Sequence, residues 1–390
     1  QRLNFDDSLS LFRSFDLISI GNAADQVRQR LHPNGYVTYI VDRNINYTNL
    51  CYVDCDFCAF YRSPKHAEGY VLERSELLKK IEETVELGGD QILMQGGLHP
   101  SLPLEWYEEL LRDIKSHFPH INIHGFSPPE IYHFTKISKK SLPEVLERLA
   151  RAGLGSLPGG GGEILVDRVR KAMTRGKVLT DDWLDVHRQW HRLGGKSTAT
   201  MMYGHIESYV DRANHIGIIR KIQKETGGFT EFVPLNFVHT EAPMYKHGLH
   251  KGIQPGADSD DIMLTHAVSR IMLNNCIDNI QMSWVKTGEK MSQRLLKCGA
   301  NDFGGTLINE SISTAAGSQH GQLLKPKQIR RLVRDVGRIP AERNTTYKIL
   351  RTFENEPNEE ELDSVNDSSK FGSYFDLIKI KKFRYENPRF

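Results

Sequence analysis

Apolar residues recur along this chain in two alternating rhythms. In "SELLKKIEETVELGG" (75–89), Leu77, Leu78, Ile81 and Val85 fall on one face of a helix, with Ser75 as its cap and Gly88 and Gly89 as its stop. "LEWYEELLRDIKSHF" (104–118) repeats the three-to-four spacing. Helices are likewise expected over 142–152, 180–193, 208–225, 259–274 and 288–297. Between them lie short runs rich in β-branched and aromatic residues. These predict strands at 36–42, 91–97, 121–127, 154–157, 197–204, 229–237, 279–285 and 301–306. About eight strands separated by helices imply parallel pairing. In a chain of 390 residues they favour an α/β fold of the closed (β/α)8 TIM type over an open doubly wound sheet.

The ends depart from this rhythm. Residues 1–35 read as a helical segment ahead of the barrel, which is expected to occupy 36–350. Residues 351–390 form an extension. Its first part, "FENEPNEEELDSVNDSS", is acidic and poor in apolar residues, as a linker is. Its last part, "YFDLIKIKKFRYENPRF", regains apolar and basic residues and is expected to be a peripheral tail without chemistry.

Charge narrows the range of partners. Lys and Arg total 51 against 49 Asp and Glu, a net charge of +2, which argues against a broad nucleic-acid footprint. No apolar run approaches the ~18 residues of a membrane span. The first residues lack a basic segment followed by an apolar core, so no secretory leader is expected and the cytoplasm is the expected compartment.

Five cysteines are too few for a disulfide scaffold. Cys276 and Cys298 read as small buried hydrophobes. The other three cluster in "CYVDCDFCAF" as Cys51, Cys55 and Cys58, spaced Cys-x3-Cys-x2-Cys directly after the first strand. Soft thiolates suit zinc, copper(I) or an iron–sulfur cluster. A structural zinc takes four protein ligands, usually as two pairs, and the chain has no second cysteine pair. His66 is the nearest candidate for a fourth ligand, eight positions on. A 4Fe-4S cluster held by three thiolates would keep one iron open.

That spacing, with Phe57 just before the last cysteine, resembles the cluster loop of radical S-adenosyl-L-methionine (SAM) enzymes. The resemblance implies that SAM chelates the open iron through its amino and carboxylate groups. "QGGLHP", with Gln95, Gly96 and Gly97, resembles the glycine segment that receives the SAM amino group. In "LGSLPGGGGEILVDRVR" four glycines precede a helix start. There Glu163 is expected on the ribose or amine of SAM and Arg168 on its carboxylate.

Further segments sharpen the resemblance. "NINYTNLCYVDCDFCAF", "TATMMYGHIE", "ETGGFTEFVPLNFVHTEAPMY", "NIQMSWVKTG" and "NDFGGTLINESISTAAGSQHG" are similar to one branch of that superfamily. The branch holds the tyrosine-using subunit of deazaflavin (FO) synthase and two futalosine-forming enzymes of the menaquinone pathway. The late motifs lie closest to the FO synthase subunit, whereas "PGGGGE" and "EILVDRVRK" are similar to the cyclic dehypoxanthine futalosine synthase.

The resemblance implies a 5′-deoxyadenosyl radical that takes hydrogen from the amino group of L-tyrosine. The Cα–Cβ bond then breaks, and a 4-hydroxybenzyl radical adds to 5-amino-6-(D-ribitylamino)uracil. It also implies a one-electron donor protein and a separate subunit that cyclises the adduct to FO. A non-catalytic iron–sulfur or zinc protein is the reading from another class. Polar candidates at expected strand ends are Tyr203, His205, Asn236, His239, Glu241, Gln281, Ser283 and Asp302. Tyr203, His239 and Asp302 are taken as the catalytic group.

Overall fold

The computed structural model of the protein describes residues 3–354. The acidic linker and basic tail expected within 351–390 lie, from 355 onward, outside the described residues.

The first strand, Tyr36–Ile40, continues past Val41 into Asp42–Ile45. From Asp42–Ile45 the sheet runs in chain order through Gln91–Met94, Asn122–Gly125, Ser156–Leu157 and Lys196–Tyr203 to Phe229–Asn236, every pair parallel. Single-residue parallel bridges carry it further, from Phe232 to Ile280 and from Gln281 to Asp302. Asp302–Gly305 then pairs with Tyr36–Ile40. The sheet therefore returns to its first strand as an eight-unit (β/α)8 barrel.

The helices form where the apolar spacing places them. Leu104–His117 buries Leu104, Tyr107, Leu110, Leu111 and Ile114, which share one face. Leu142–Ala152 starts at a Ser141 cap and stops at Gly153, whose φ of 115° is open to glycine at little cost. Tyr209–Thr226 opens with a capping box between Ser208 and Asp211. Two helices precede the barrel. Phe5–Phe12 stacks Phe12 on Tyr209 at 5.4 Å, and Leu17–Leu31 lies against Ser259–Leu273.

The helix Pro326–Asp335 and the strands Ile339–Arg343 and Ile349–Thr352 are additions to the expected pattern, and two segments nearer the site differ from it. The strand expected over 279–285 shrinks to the bridges at Ile280 and Gln281 and gives way to a short helix, Trp284–Thr287. Asn301 accounts for this, because its Oδ1 accepts the Ile280 amide and substitutes for a ladder partner. A helix that periodicity did not call, Pro128–Ser138, follows the third strand. Its signals are chemical: two prolines at its start and a capping box between Ser127 and Glu130.

The end of the described chain closes the barrel from below. Ile339–Arg343 pairs in parallel with Tyr36–Ile40, and Ile349–Thr352 pairs antiparallel with Ile339–Arg343. The turn between them crosses the N-terminal ends of the strands. Thr345 donates to Gln91 (2.6 Å), Asn122 donates to Thr345 (2.8 Å), and the Tyr347 hydroxyl donates to Glu231.

Candidate functional site

A cavity of about 380 Å³ fills the barrel, lined from the cysteine loop at the C-terminal mouth to Arg343 and Thr345 at the opposite end. Cys51, Cys55 and Cys58 all line it. Their loop is fastened by backbone. The Cys51 amide donates to Arg62 O (2.9 Å), Tyr52 to Leu98 O (3.2 Å), and Asp56 to Met173 O (2.9 Å). Asp54–Cys55 pairs with Thr174–Arg175. Arg62, unnoticed in the sequence, threads the loop, donating to the carbonyls of Ala59, Phe60 and Tyr61 and pairing with Glu68 at 2.8 Å.

The two glycines of "QGGLHP" are required by this packing. A Cβ on Gly97 would lie 2.2 Å from the Leu50 carbonyl oxygen, and one on Gly96 would lie 2.6 Å from the Tyr47 ring. Both line the cavity beside Gln95. The Gly96 amide donates to buried Glu130 at 3.0 Å.

Burial pushes the Cys51 thiol up to about 11 and raises Cys55 and Cys58 as well. Metal binding must therefore displace protons here. The donor set fits a cluster. Three thiols reach one cavity, and His66 is turned to other work, its Nδ1 accepting the Glu68 amide at 3.1 Å. Among the described residues no three His, Cys, Asp or Glu side chains converge to hold one metal ion. With His66 so engaged, a structural zinc would lack its fourth protein ligand, whereas a 4Fe-4S cluster takes one thiolate per iron.

Glu163 lines the cavity on the far side of the glycine turn. Burial would raise its carboxyl, but Lys177 at 2.7 Å and Arg170 at 3.7 Å outweigh it and hold the group below its usual value. Lys177 also sits 5.0 Å over the Phe57 ring in the cysteine loop. No motif marked it, because a lone lysine after a turn carries no pattern.

Of the other candidates, the structure brings Gln281 and Ser283 to the cavity and leaves the rest outside it. Arg168 is exposed and pairs with Asp211 at 2.8 Å. Tyr203 is fully buried on the outer face of its strand, with Arg212 4.9 Å from its ring. His239 packs edge-on against Tyr245. Asp302 is buried beneath the floor, bonded by Arg343 Nε (2.5 Å) and Nη2 (3.0 Å). His205 is held by Glu207 and the Met202 carbonyl, Asn236 accepts the Ala257 amide, and Glu241 pairs with Lys246. Cys276 and Cys298 are half-buried rather than core residues.

Cavity residues not singled out from the sequence include Asp42 and His124, together with Glu231, Lys286 and Glu310, which lie within the quoted family segments. Burial lifts Asp42 from 3.8 to about 6, against hydrogen bonds from Leu307 N and Gln91. Arg343 also pulls it down and Asp90 pushes it up, without reversing the outcome. An acid whose folded-state value is raised stabilises the fold most below its unfolded value and loses that contribution as pH rises. For Asp42 the loss falls between pH 3.8 and about 6 and amounts to ~3 kcal/mol. Asp42→Asn, similar in shape, should remove that dependence. The expected readout is a wild-type melting temperature that falls relative to the variant as pH is raised from 4 to 7; parallel curves would contradict it.

A parallel eight-strand barrel with three cavity-lining thiols after its first strand defines a radical SAM barrel. Residues 45–218 match the radical SAM superfamily, and residues 226–356 match the CofH/MqnC C-terminal region. The chain is 46% identical over 333 residues to the 5-amino-6-(D-ribitylamino)uracil–L-tyrosine 4-hydroxyphenyl transferase of Methanothermobacter thermautotrophicus, covering 85% of this chain and 90% of the relative. It is 42% identical over 354 residues to the cyclic dehypoxanthine futalosine synthase of Halalkalibacterium halodurans, covering 91% and 93%. The crystal structure of methylornithine synthase (PylB) shares the fold, with a TM-score of 0.68 at 16% identity over 87% of this chain and 95% of that one. The chain belongs to the CofH/MqnC family of the radical SAM superfamily. Membership implies a 4Fe-4S cluster and SAM.

Proposed function

We propose that this chain is a radical SAM transferase of deazaflavin (FO) and coenzyme F(420) biosynthesis. It cleaves L-tyrosine and joins the 4-hydroxybenzyl group to 5-amino-6-(D-ribitylamino)uracil. The observation that carries this reading is one continuous cavity, with three thiols at its mouth and buried polar side chains set among largely apolar walls. Identity of 42–46% to several archaeal transferases of that name supports it.

When bound, the cluster and SAM supply a carbon-centred radical able to take hydrogen from an amine. The protein's share is position and exclusion of water. Cys51, Cys55 and Cys58 would hold the cluster. Gln95, Gly96, Gly97 and Glu163 wall the same space and would receive SAM, with Lys177 beside Glu163 in place of the outlying Arg168. Lys286 and Glu310 follow the seventh and eighth strands, half a turn around the barrel from Glu163 and Lys177. The Lys286 ammonium donates to Ser313 at 2.8 Å. A lysine and a carboxyl on one stretch of the cavity wall suit the two ends of the amino acid substrate.

Tyr203, His239 and Asp302, which do not line the cavity, act in this scheme by positioning. An electron donor protein and the cyclising subunit complete it, in the cytoplasm. No described helix is long and apolar enough to cross a membrane.

Anaerobic turnover with SAM, reductant, L-tyrosine and the aminouracil is expected to yield the hydroxybenzyl adduct. Absence of adduct from a cluster-loaded protein would exclude the reading. A tyrosine-independent reaction on dehypoxanthine futalosine is the second reading, favoured by the Gly159–Gly162 turn and the Halalkalibacterium halodurans relative; consumption of that compound instead would establish it.

A further inference from the structure

The cavity changes character with depth. Gln91 and Gln95 lie on one strand path four residues apart, so floor and mouth are separated by ~13 Å along the strand. At the mouth stand the thiols and the pair Glu163–Lys177. Around the floor stand Asp42, Gln91, His124, Glu231, Gln281 and Thr345. These are side chains that accept and donate hydrogen bonds, and the cation among the floor residues, Arg343, is already taken by Asp302 and lies 3.5 Å from Glu231.

His124 is the telling group. It is 6% exposed, and its Nδ1 shares a hydrogen bond with Ser156 Oγ at 2.6 Å. Its Nε2 has no hydrogen-bond partner among the described residues, although the ring lines the cavity. That nitrogen is open to the cavity and is available to a hydrogen-bonding group placed there. Burial also drives His124 down to about 3 and pushes the carboxyls of Asp42 and Glu231 upward, so the floor tends toward neutral donors and acceptors.

We propose that the barrel floor holds the ribityl chain of the acceptor, its hydroxyls bonded by Asp42, Gln91, His124, Glu231 and Gln281, with the uracil ring above it toward the mouth. The inference rests on the transferase reading and adds the direction in which the acceptor enters. Each hydroxyl both donates and accepts, which suits carboxyl and carboxamide partners. A ring placed above the floor leaves the amino acid beside the cluster, where its cleavage must occur. The floor also discriminates. Arg343 is already engaged by Asp302 and Glu231, so a phosphate on the end of the chain would find no free cation among these groups. The reaction supplying this acceptor must therefore deliver it with its terminal hydroxyl free.

The test uses the cluster-loaded full chain under anaerobic conditions. The acceptors are the aminouracil itself, an analogue carrying hydroxyethyl in place of ribityl, and the 5′-phosphate ester. Wild type is expected to lose about 100-fold in kcat/KM with the hydroxyethyl analogue and at least as much with the phosphate. Gln281→Leu and His124→Phe should each raise KM for the full acceptor ~10-fold, with KM for L-tyrosine unchanged. With the hydroxyethyl analogue these variants should match wild type to within about threefold, because the contact they lack is already gone. Equal use of the full and hydroxyethyl acceptors by wild type would overturn the inference even if both variants misfold. Formation of adduct with unaltered KM in both variants would overturn it too. If wild type forms no adduct with any acceptor, it is the transferase reading that falls.

Discussion

Alanine at Cys51, Cys55 or Cys58 is expected to abolish adduct formation while the barrel stays folded. The expectation follows from where the loop's stability comes from. Its amides are tied to Arg62, Leu98 and Met173, and the Arg62 guanidinium holds three of its carbonyls. None of these bonds uses sulfur. Loss of one buried sulfhydryl costs about 1 kcal/mol, small beside the several kcal/mol that hold a domain together. The cluster has no such reserve, since each iron it anchors needs its own thiolate. Iron content, turnover and melting temperature measured together would check this. Wild-type turnover in any of the three variants would contradict the cluster assignment. Cys276→Ala and Cys298→Ala, outside the cavity, should load iron normally.

The second large effect is expected on stability. Arg343→Met should destabilise the fold by roughly 3–5 kcal/mol, the usual consequence of stripping a buried carboxylate of its partner. Asp302 is 0% exposed and Glu231 is 7% exposed, and both face that guanidinium. The arginine arrives from the closing hairpin while both acids sit in barrel strands, so its loss also loosens the floor. Combining Arg343→Met with Asp302→Asn should recover part of the loss, because a neutral amide no longer needs the cation. A denaturation midpoint for Arg343→Met equal to wild type would remove the hairpin from any structural role.

Much of this architecture could be read from periodicity because its helices are amphipathic and its strands short and separate. The cysteine loop was legible because the chemistry demands a fixed spacing. The cavity lining was not, and strand Lys196–Tyr203 shows why. Thr198, Thr200 and Met202 line the lumen, whereas Ala199, Met201 and Tyr203 are buried outside it. Strands alternate faces with a period of two, so choosing the lumen from sequence is a choice of parity. The polar tyrosine suggested the inside, yet here the threonines face the cavity and the tyrosine faces the helices. In Phe229–Asn236 the lumen takes Glu231, Val233 and Leu235, leaving Asn236 outside. Asp302 and Arg343 were unreadable for another reason. Their pairing joins the last strand of the ring to a hairpin whose position under the barrel no local pattern records.

That hairpin imposes an order on synthesis. Strand Tyr36–Ile40 leaves the ribosome well before the strands that flank it, Asp302–Gly305 and Ile339–Arg343. Roughly 300 residues must follow before both neighbours exist, which at 5–20 residues per second is about 15–60 s of translation. For that time the edges of this strand lack the neighbours that cover them in the finished barrel.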